Sequence, residues 1–144
     1  MTNVSLAQSL IKKAVDRLDI LELLMKKGAY SDVVREAQEI VELALKGMLR
    51  AVGIEPPKYH DVGSLLLEHK NKYSKDIAVH LEEIAEISKR LRKERELAFY
   101  GDIDFIPTEE YKRKDGQEAL KNAEFVVSIA QKRTKPHARR TKKK

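Results

Sequence analysis

Apolar residues recur along this chain at three- and four-residue steps, the spacing of a helix with one buried face. Leu6, Leu10, Ala14, Leu18, Leu21 and Met25 form the first stripe, and Lys26, Lys27 and Gly28 supply a cationic last turn and a stop. The spacing predicts a helix over about residues 4–27. A second begins near Ser31, read as its N-cap before Asp32, and carries Val33, Ala37, Ile40, Ala44, Leu45, Met48 and Val52 to a stop at Gly53. Gly47 lies within it, where it costs about 1 kcal/mol against Ala, so it predicts close packing on a neighbouring helix. The segment IEPPKYH then breaks the pattern, because two prolines cannot continue a helix.

Asp61 can cap a short third helix containing Val62, Leu65 and Leu66, and Asn71 to Ser74 form another break. A fourth helix is expected over about 75–99, with Gly101 just past its end. The stretch DIDFIPTEEY (102–111) is acidic and interrupted by Pro107, and reads as a long connection. The last stripe, Ala119, Ala123, Val126, Val127 and Ala130, predicts a helix over about 115–132. No segment alternates like a strand. The expected fold is all-α: an antiparallel, up-and-down bundle of four long helices plus one short helix.

The fourth helix holds the informative irregularity. Its apolar stripe runs Ile77, Leu81, Ile84, Ser88, Leu91, then Arg95, then Ala98. A guanidinium on such a stripe must find a partner or line a cleft, since an unpaired buried charge is costly. Glu36, Glu39 and Glu42 of the second helix are the candidate partners, and a stem that reaches out to water is the alternative.

Composition narrows the function classes. Charged residues make up 36% of the chain, against the usual ~25%. The net charge of +6 is unevenly placed. Residues 132–144 hold eight Lys or Arg and no acid, so the preceding 131 residues carry 21 bases against 23 acids. The division expected is a helical domain over 1–131 and a disordered basic tail over 132–144. Lys135, Arg139, Arg140, Lys142, Lys143 and Lys144 of that tail are the candidate nucleic-acid grip, because clustered cations release counterions from phosphates. The body is slightly acidic and is no general basic platform.

The absence of cysteine removes disulfide scaffolds, thiolate metal sites and a Cys nucleophile. No phosphate-cradling Gly-rich loop and no Gly-x-Ser-x-Gly turn is present. Asp102, Asp104, Glu109 and Glu110 match no cation-binding loop spacing. The expectation is therefore no metal and no cofactor. With no signal-peptide plan and no long apolar run, the chain reads as soluble and cytoplasmic, with no membrane association. High charge with few Asn, Gln and Cys leans towards a thermophile's composition.

Four stretches together resemble the HEPN family, small helical domains named for nucleotide binding in higher eukaryotes and prokaryotes. These are AQEIVELALKGMLRAVGIEPPK of the second helix, HDV at 60–62, RLRKERELAFYGD at 90–102, and the final amphipathic helix. The resemblance covers about residues 4–131. It implies a nucleotide- or RNA-binding module, a homodimer, and a separately encoded minimal nucleotidyltransferase as partner in a toxin–antitoxin-like pair. Where members keep an Arg followed after four to six residues by a His, it also implies metal-independent RNA cleavage to a 2′,3′-cyclic phosphate. The Arg would bind the phosphate and the His would take the 2′-hydroxyl proton.

This chain keeps the Arg at Arg95 and has Tyr100, Gly101 and Asp102 at the following candidate positions, giving Arg-x4-Tyr. A tyrosine phenol is a poor general base at neutral pH, though it can hydrogen-bond a phosphate or stack on a base. Arg95 and Tyr100 are thus the candidate catalytic pair, and Arg95, Tyr100, His60 and Asp102 the candidate ligand-binding residues. One further expectation is that Arg95 and Tyr100 share one polar site. The missing His favours binding over cleavage. The alternatives are a non-catalytic partner-docking or dimerisation protein, and a metal-independent endoribonuclease that uses Arg95.

Overall fold

The computed structural model describes residues 3–56, 58 and 61–134. Four long helices dominate them: α1 (Asn3–Lys26), α2 (Tyr30–Ala51), α5 (Leu81–Tyr100) and α7 (Arg113–Thr134). Three short ones, α3 (Val62–Glu68), α4 (Lys75–Ala78) and α6 (Pro107–Glu110), and a 3₁₀ turn at Lys70–Lys72 complete the set. The all-α up-and-down bundle expected from the periodicity is what the chain forms.

Helix α2 is the hub. It packs against α1, α3, α5 and α7, while α1 and α7 also touch one another. Its buried residues, including Val33, Ala37, Ile40, Ala44, Leu45, Met48 and Leu49, cover most of its circumference, as a central helix requires. Gly47 does what its position suggests. A Cβ there would lie 2.6 Å from Ile11 Cδ1 and 3.2 Å from the Ala7 carbonyl oxygen, so α1 closes directly onto the α2 backbone.

The hairpin between α1 and α2 follows from Gly28. Its φ of 72° is one that side-chain-bearing residues adopt poorly. The Gly28 N–H donates to the Met25 carbonyl (3.0 Å) and the Ala29 N–H to that of Leu24 (2.9 Å), the Schellman arrangement. The chain passes at once into α2, with Ala29 at its N-cap. Ser31, expected at the cap, is instead buried in the first turn. The tight exit from α1 leaves no residues for a later start.

Two other boundaries differ from expectation. The helix expected over 75–99 is divided at Val79 and His80. Both keep right-handed backbones, but the His80 N–H bonds the Ile77 carbonyl at 3.0 Å, tightening the chain for one turn. Ile77 and Leu81, on either side of the break, are both buried, and the His80 ring sits edge-on to Phe125 of α7, 5.4 Å between centroids. The last helix begins at Arg113, ahead of 115, because the Asp115 carboxylate reaches back to accept from the Lys112 N–H at 2.8 Å, half of a capping box. It runs to Thr134, past the 131/132 boundary read from the charge pattern. Asp61 does cap α3, accepting from the Gly63 N–H (3.1 Å) and the Ser64 hydroxyl (2.9 Å).

Candidate functional site

The last two turns of α5 carry the candidate chemistry. Leu91 and Ala98 point into the core, 6% and 1% exposed. Seven residues separate them, just under two helical turns, so both Glu94 and Arg95 fall on the margins of the stripe between them. The two take opposite flanks. Arg95 is therefore not an inward residue: its side chain is 46% exposed.

On one flank, Tyr111 donates its hydroxyl to Glu94 Oε1 at 2.8 Å. Tyr111 is 7% exposed and sits edge-on to Phe105. Burial first, then the hydrogen bond to Glu94 and the charges of Glu94 and Asp115, push its phenol well above the usual tyrosine range. It stays a proton donor. A small cleft of about 70 Å³ opens beside it, lined in part by Arg90, Glu94, Tyr111, Asp115, Glu118 and Asn122.

On the other flank, Arg95 Nη2 lies 3.3 Å from Glu39 Oε2, and Arg35 Nη1 lies 3.4 Å from the same oxygen. Of the three glutamates named as partners, α2 thus offers Glu39. Glu36 is taken by Arg17 at 2.9 Å, and Glu42 faces Lys46 and Gln38. The Arg35 guanidinium lies over the Phe99 ring, 4.7 Å from its centroid, a cation–π contact. Phe99 meets Tyr100 edge-on at 4.9 Å. Two guanidiniums, one carboxylate and two aromatic rings therefore form a continuous surface.

Arg95 and Tyr100 belong to that surface without touching. Among the described residues no hydrogen bond, ion pair or ring contact joins them directly; Glu39, Arg35 and Phe99 lie between. Tyr100 is 73% exposed. Asp102 is committed to the following turn: its carboxylate accepts from the Ile103 N–H at 2.8 Å, and its backbone exchanges two 3.0 Å hydrogen bonds with Phe105. Gly101 permits that turn, since a Cβ there would sit 2.6 Å from the Phe105 oxygen and its φ is 72°. His60 and the tail residues Lys135, Arg139, Arg140, Lys142, Lys143 and Lys144 lie outside the described residues.

Sequence reasoning missed Arg35, Phe99 and the Tyr111–Glu94 pair. The signal for the first two was available. Arg35 precedes Glu39 by four residues and Phe99 follows Arg95 by four, so each shares a helix face with a residue already singled out. Leu97, Phe99, Tyr100, Ile103 and Ile106 also remain at least partly on the surface around the end of α5.

Among the described residues no helix is long and apolar enough to cross a membrane, and no group of three His, Asp or Glu side chains is placed to hold a metal ion. The chain is similar to a Methanocaldococcus jannaschii protein named "Putative toxin MJ1304", with 27% identity over 133 residues that cover 88% of this chain and 87% of that one. The family model described as HEPN domain matches residues 7–133, which include all of α2, α5 and α7 up to Arg133. This helical chain, with Arg95 at the open end of α5, belongs to the HEPN family.

Proposed function

We propose that the chain is a toxin-like HEPN module that binds RNA or a nucleotide at the end of α5. The observation that carries this reading is the half-exposed Arg95 guanidinium on a surface continued by the exposed rings of Phe99 and Tyr100. Arginine offers a fork of donors matched to phosphate oxygens. Exposed aromatic rings offer faces for unstacked bases. The toxin name of the Methanocaldococcus relative supports the same direction.

Leu97, Ile103 and Ile106, large apolar side chains left on the surface beside the aromatic rings, support a homodimer formed next to this face, because residues of that size gathered together favour burial against a partner. A minimal nucleotidyltransferase is the proposed second partner, by analogy with the family's toxin–antitoxin-like pairs. Binding is preferred to cleavage because Tyr100 stands where the family's cleaving members carry His, so no imidazole is supplied at that position.

The test is fluorescence anisotropy with a labelled single-stranded RNA, in parallel with cleavage of the same RNA in EDTA. Wild type should bind without cutting, and Arg95→Ala should weaken binding by about tenfold, the worth of a lost charge-assisted hydrogen bond. Binding by Arg95→Ala equal to wild type would remove the reading. Cleavage that disappears in Arg95→Ala would replace it with the endoribonuclease.

A further inference from the structure

The cluster around Glu39 has an unusual arrangement of charge. One carboxylate oxygen, Oε2, serves two arginines, at 3.3 Å from Arg95 and 3.4 Å from Arg35. Both distances exceed the roughly 2.7–2.9 Å of a well-made charge-assisted hydrogen bond. Glu39 thus neutralises half of the positive charge it faces and holds neither arginine closely. Arg35 is further marked by its Nε, which is buried with no hydrogen-bond partner among the described residues. It is set in place by the Phe99 ring below its guanidinium, while Arg95 is close to half exposed.

We propose that Arg35 and Arg95 form a two-arginine phosphate clamp in which Glu39 is the resident anion that an incoming phosphate displaces. The clamp rests on the reading that this face binds RNA or a nucleotide, and adds to it a second ligand-contacting arginine and a built-in competitor. A phosphate has more acceptor oxygens than the one Glu39 uses here. It can therefore accept from both guanidiniums separately, which one shared oxygen does poorly. Phe99 acts as a positioning residue: it orients the Arg35 fork without touching the phosphate. Tyr100, edge-on to Phe99, stands where a base attached to that phosphate would stack.

Charge complementarity favours the exchange. Arg35, Arg95 and Glu39 sum to a single positive charge, and replacing the carboxylate by a phosphate leaves Glu39 free to turn to water, which its one-third exposure allows. The ligand chemistry is a phosphate group, supplied either by an internal RNA diester or by the terminal phosphate of a free nucleotide.

The experiment is anisotropy of a labelled single-stranded RNA on the full chain across a salt titration, with AMP as competitor. Glu39→Gln keeps the shape of the side chain and removes the competing charge. It should tighten binding by about fivefold, the factor carried by one half-exposed ion pair. Arg35→Gln should weaken binding by about tenfold and lower the salt slope by about one. Phe99→Leu should weaken it by about threefold at an unchanged salt slope, since the ring positions a charge and carries none.

Equal or weaker binding by Glu39→Gln overturns the clamp, because a merely structural Glu39 gives that result. Should Arg35→Gln fold poorly, the opposite signs expected for Glu39→Gln and Phe99→Leu still decide. If Arg95→Ala weakens binding while Glu39→Gln and Arg35→Gln leave it unchanged, the clamp fails and the broader reading stands. If Arg95→Ala also binds like wild type, that reading fails first. Competition by AMP assigns the clamp to a terminal phosphate, and RNA binding indifferent to AMP assigns it to an internal diester; both uphold it.

Discussion

Glu94 and Arg95 are neighbours on α5, yet they belong to two different kinds of environment. Glu94 receives a 2.8 Å hydrogen bond from a tyrosine that is 7% exposed. Arg95 shares one carboxylate oxygen with a second arginine, at 3.3 Å and close to half exposed. The first flank is buried and neutral at its donor, and ties the approach to α7 onto α5. The second is open, charged and only loosely paired. The step of one residue along a helix turns a side chain by about 100°, and that turn separates a buried contact from an open one. The difference teaches that charge at the edge of a buried stripe has no fixed meaning. What decides is whether the partner across the groove is buried.

The largest expected effect comes from breaking the buried flank. Tyr111→Ala should lower stability by about 3 kcal/mol, as deleting a buried ring does, and chemical denaturation would measure it. At concentrations where the variant stays folded, its RNA binding should match wild type. Arg95→Ala should show the reverse pattern, a stability change under about 1 kcal/mol with a clear loss of binding. If the two variants lose stability and binding in the same proportion, the two flanks are one unit and the contrast fails.

A smaller effect isolates the hydroxyl. Tyr111→Phe keeps the ring and should cost about 1 kcal/mol for the lost donor. It also carries a pH signature. The Tyr111 phenol is held protonated in the fold, above its ordinary value of 10.0. Below pH 10 the folded and unfolded chains both hold this proton, and its contribution is complete. Above pH 10 the unfolded chain releases it while the folded chain does not, so stability falls as pH rises. Thermal melts between pH 9 and 11 should show that fall in wild type and a shallower one in Tyr111→Phe. Identical alkaline limbs would mean that the phenol is not held by its surroundings.

The smallest effect belongs to a pair that resembles the Arg95 contact in chemistry but not in setting. Arg17 and Glu36 meet at 2.9 Å between α1 and α2, with Arg17 43% exposed. Arg17→Ala should change stability by no more than about 0.5 kcal/mol and leave RNA affinity alone. A loss of RNA binding there would extend the proposed ligand surface beyond the Arg35–Arg95 face and blur the comparison.

Much of the fold was legible in the chain. The four long stripes, the stop at Gly28, the Asp61 cap and the close approach at Gly47 each follow from local rules, since spacing and glycine act over a few residues. The break at Val79 and His80 was not legible, because the periodicity runs through it unbroken. The break goes with the docking of His80 on Phe125, and that partner lies on another helix. The site shows the same division. Arg95 and its glutamate partner could be named from the pattern, though the pattern offered three glutamates. Arg35 and Phe99 are four residues from residues already chosen, but nothing local says that their two helices meet.

By itself, then, the sequence determined an all-α bundle, its principal boundaries, and an arginine set on the apolar stripe near the end of α5. Hydrophobic spacing and capping chemistry are short-range, and they can be read in any window of the chain. Tertiary structure alone decided that Tyr111 closes on Glu94, that Glu39 takes two arginines on one oxygen, and that Arg35 lies on Phe99. The last two outcomes depend on how α2 crosses α5, and a crossing is set by the packing of the whole core rather than by the residues that meet there.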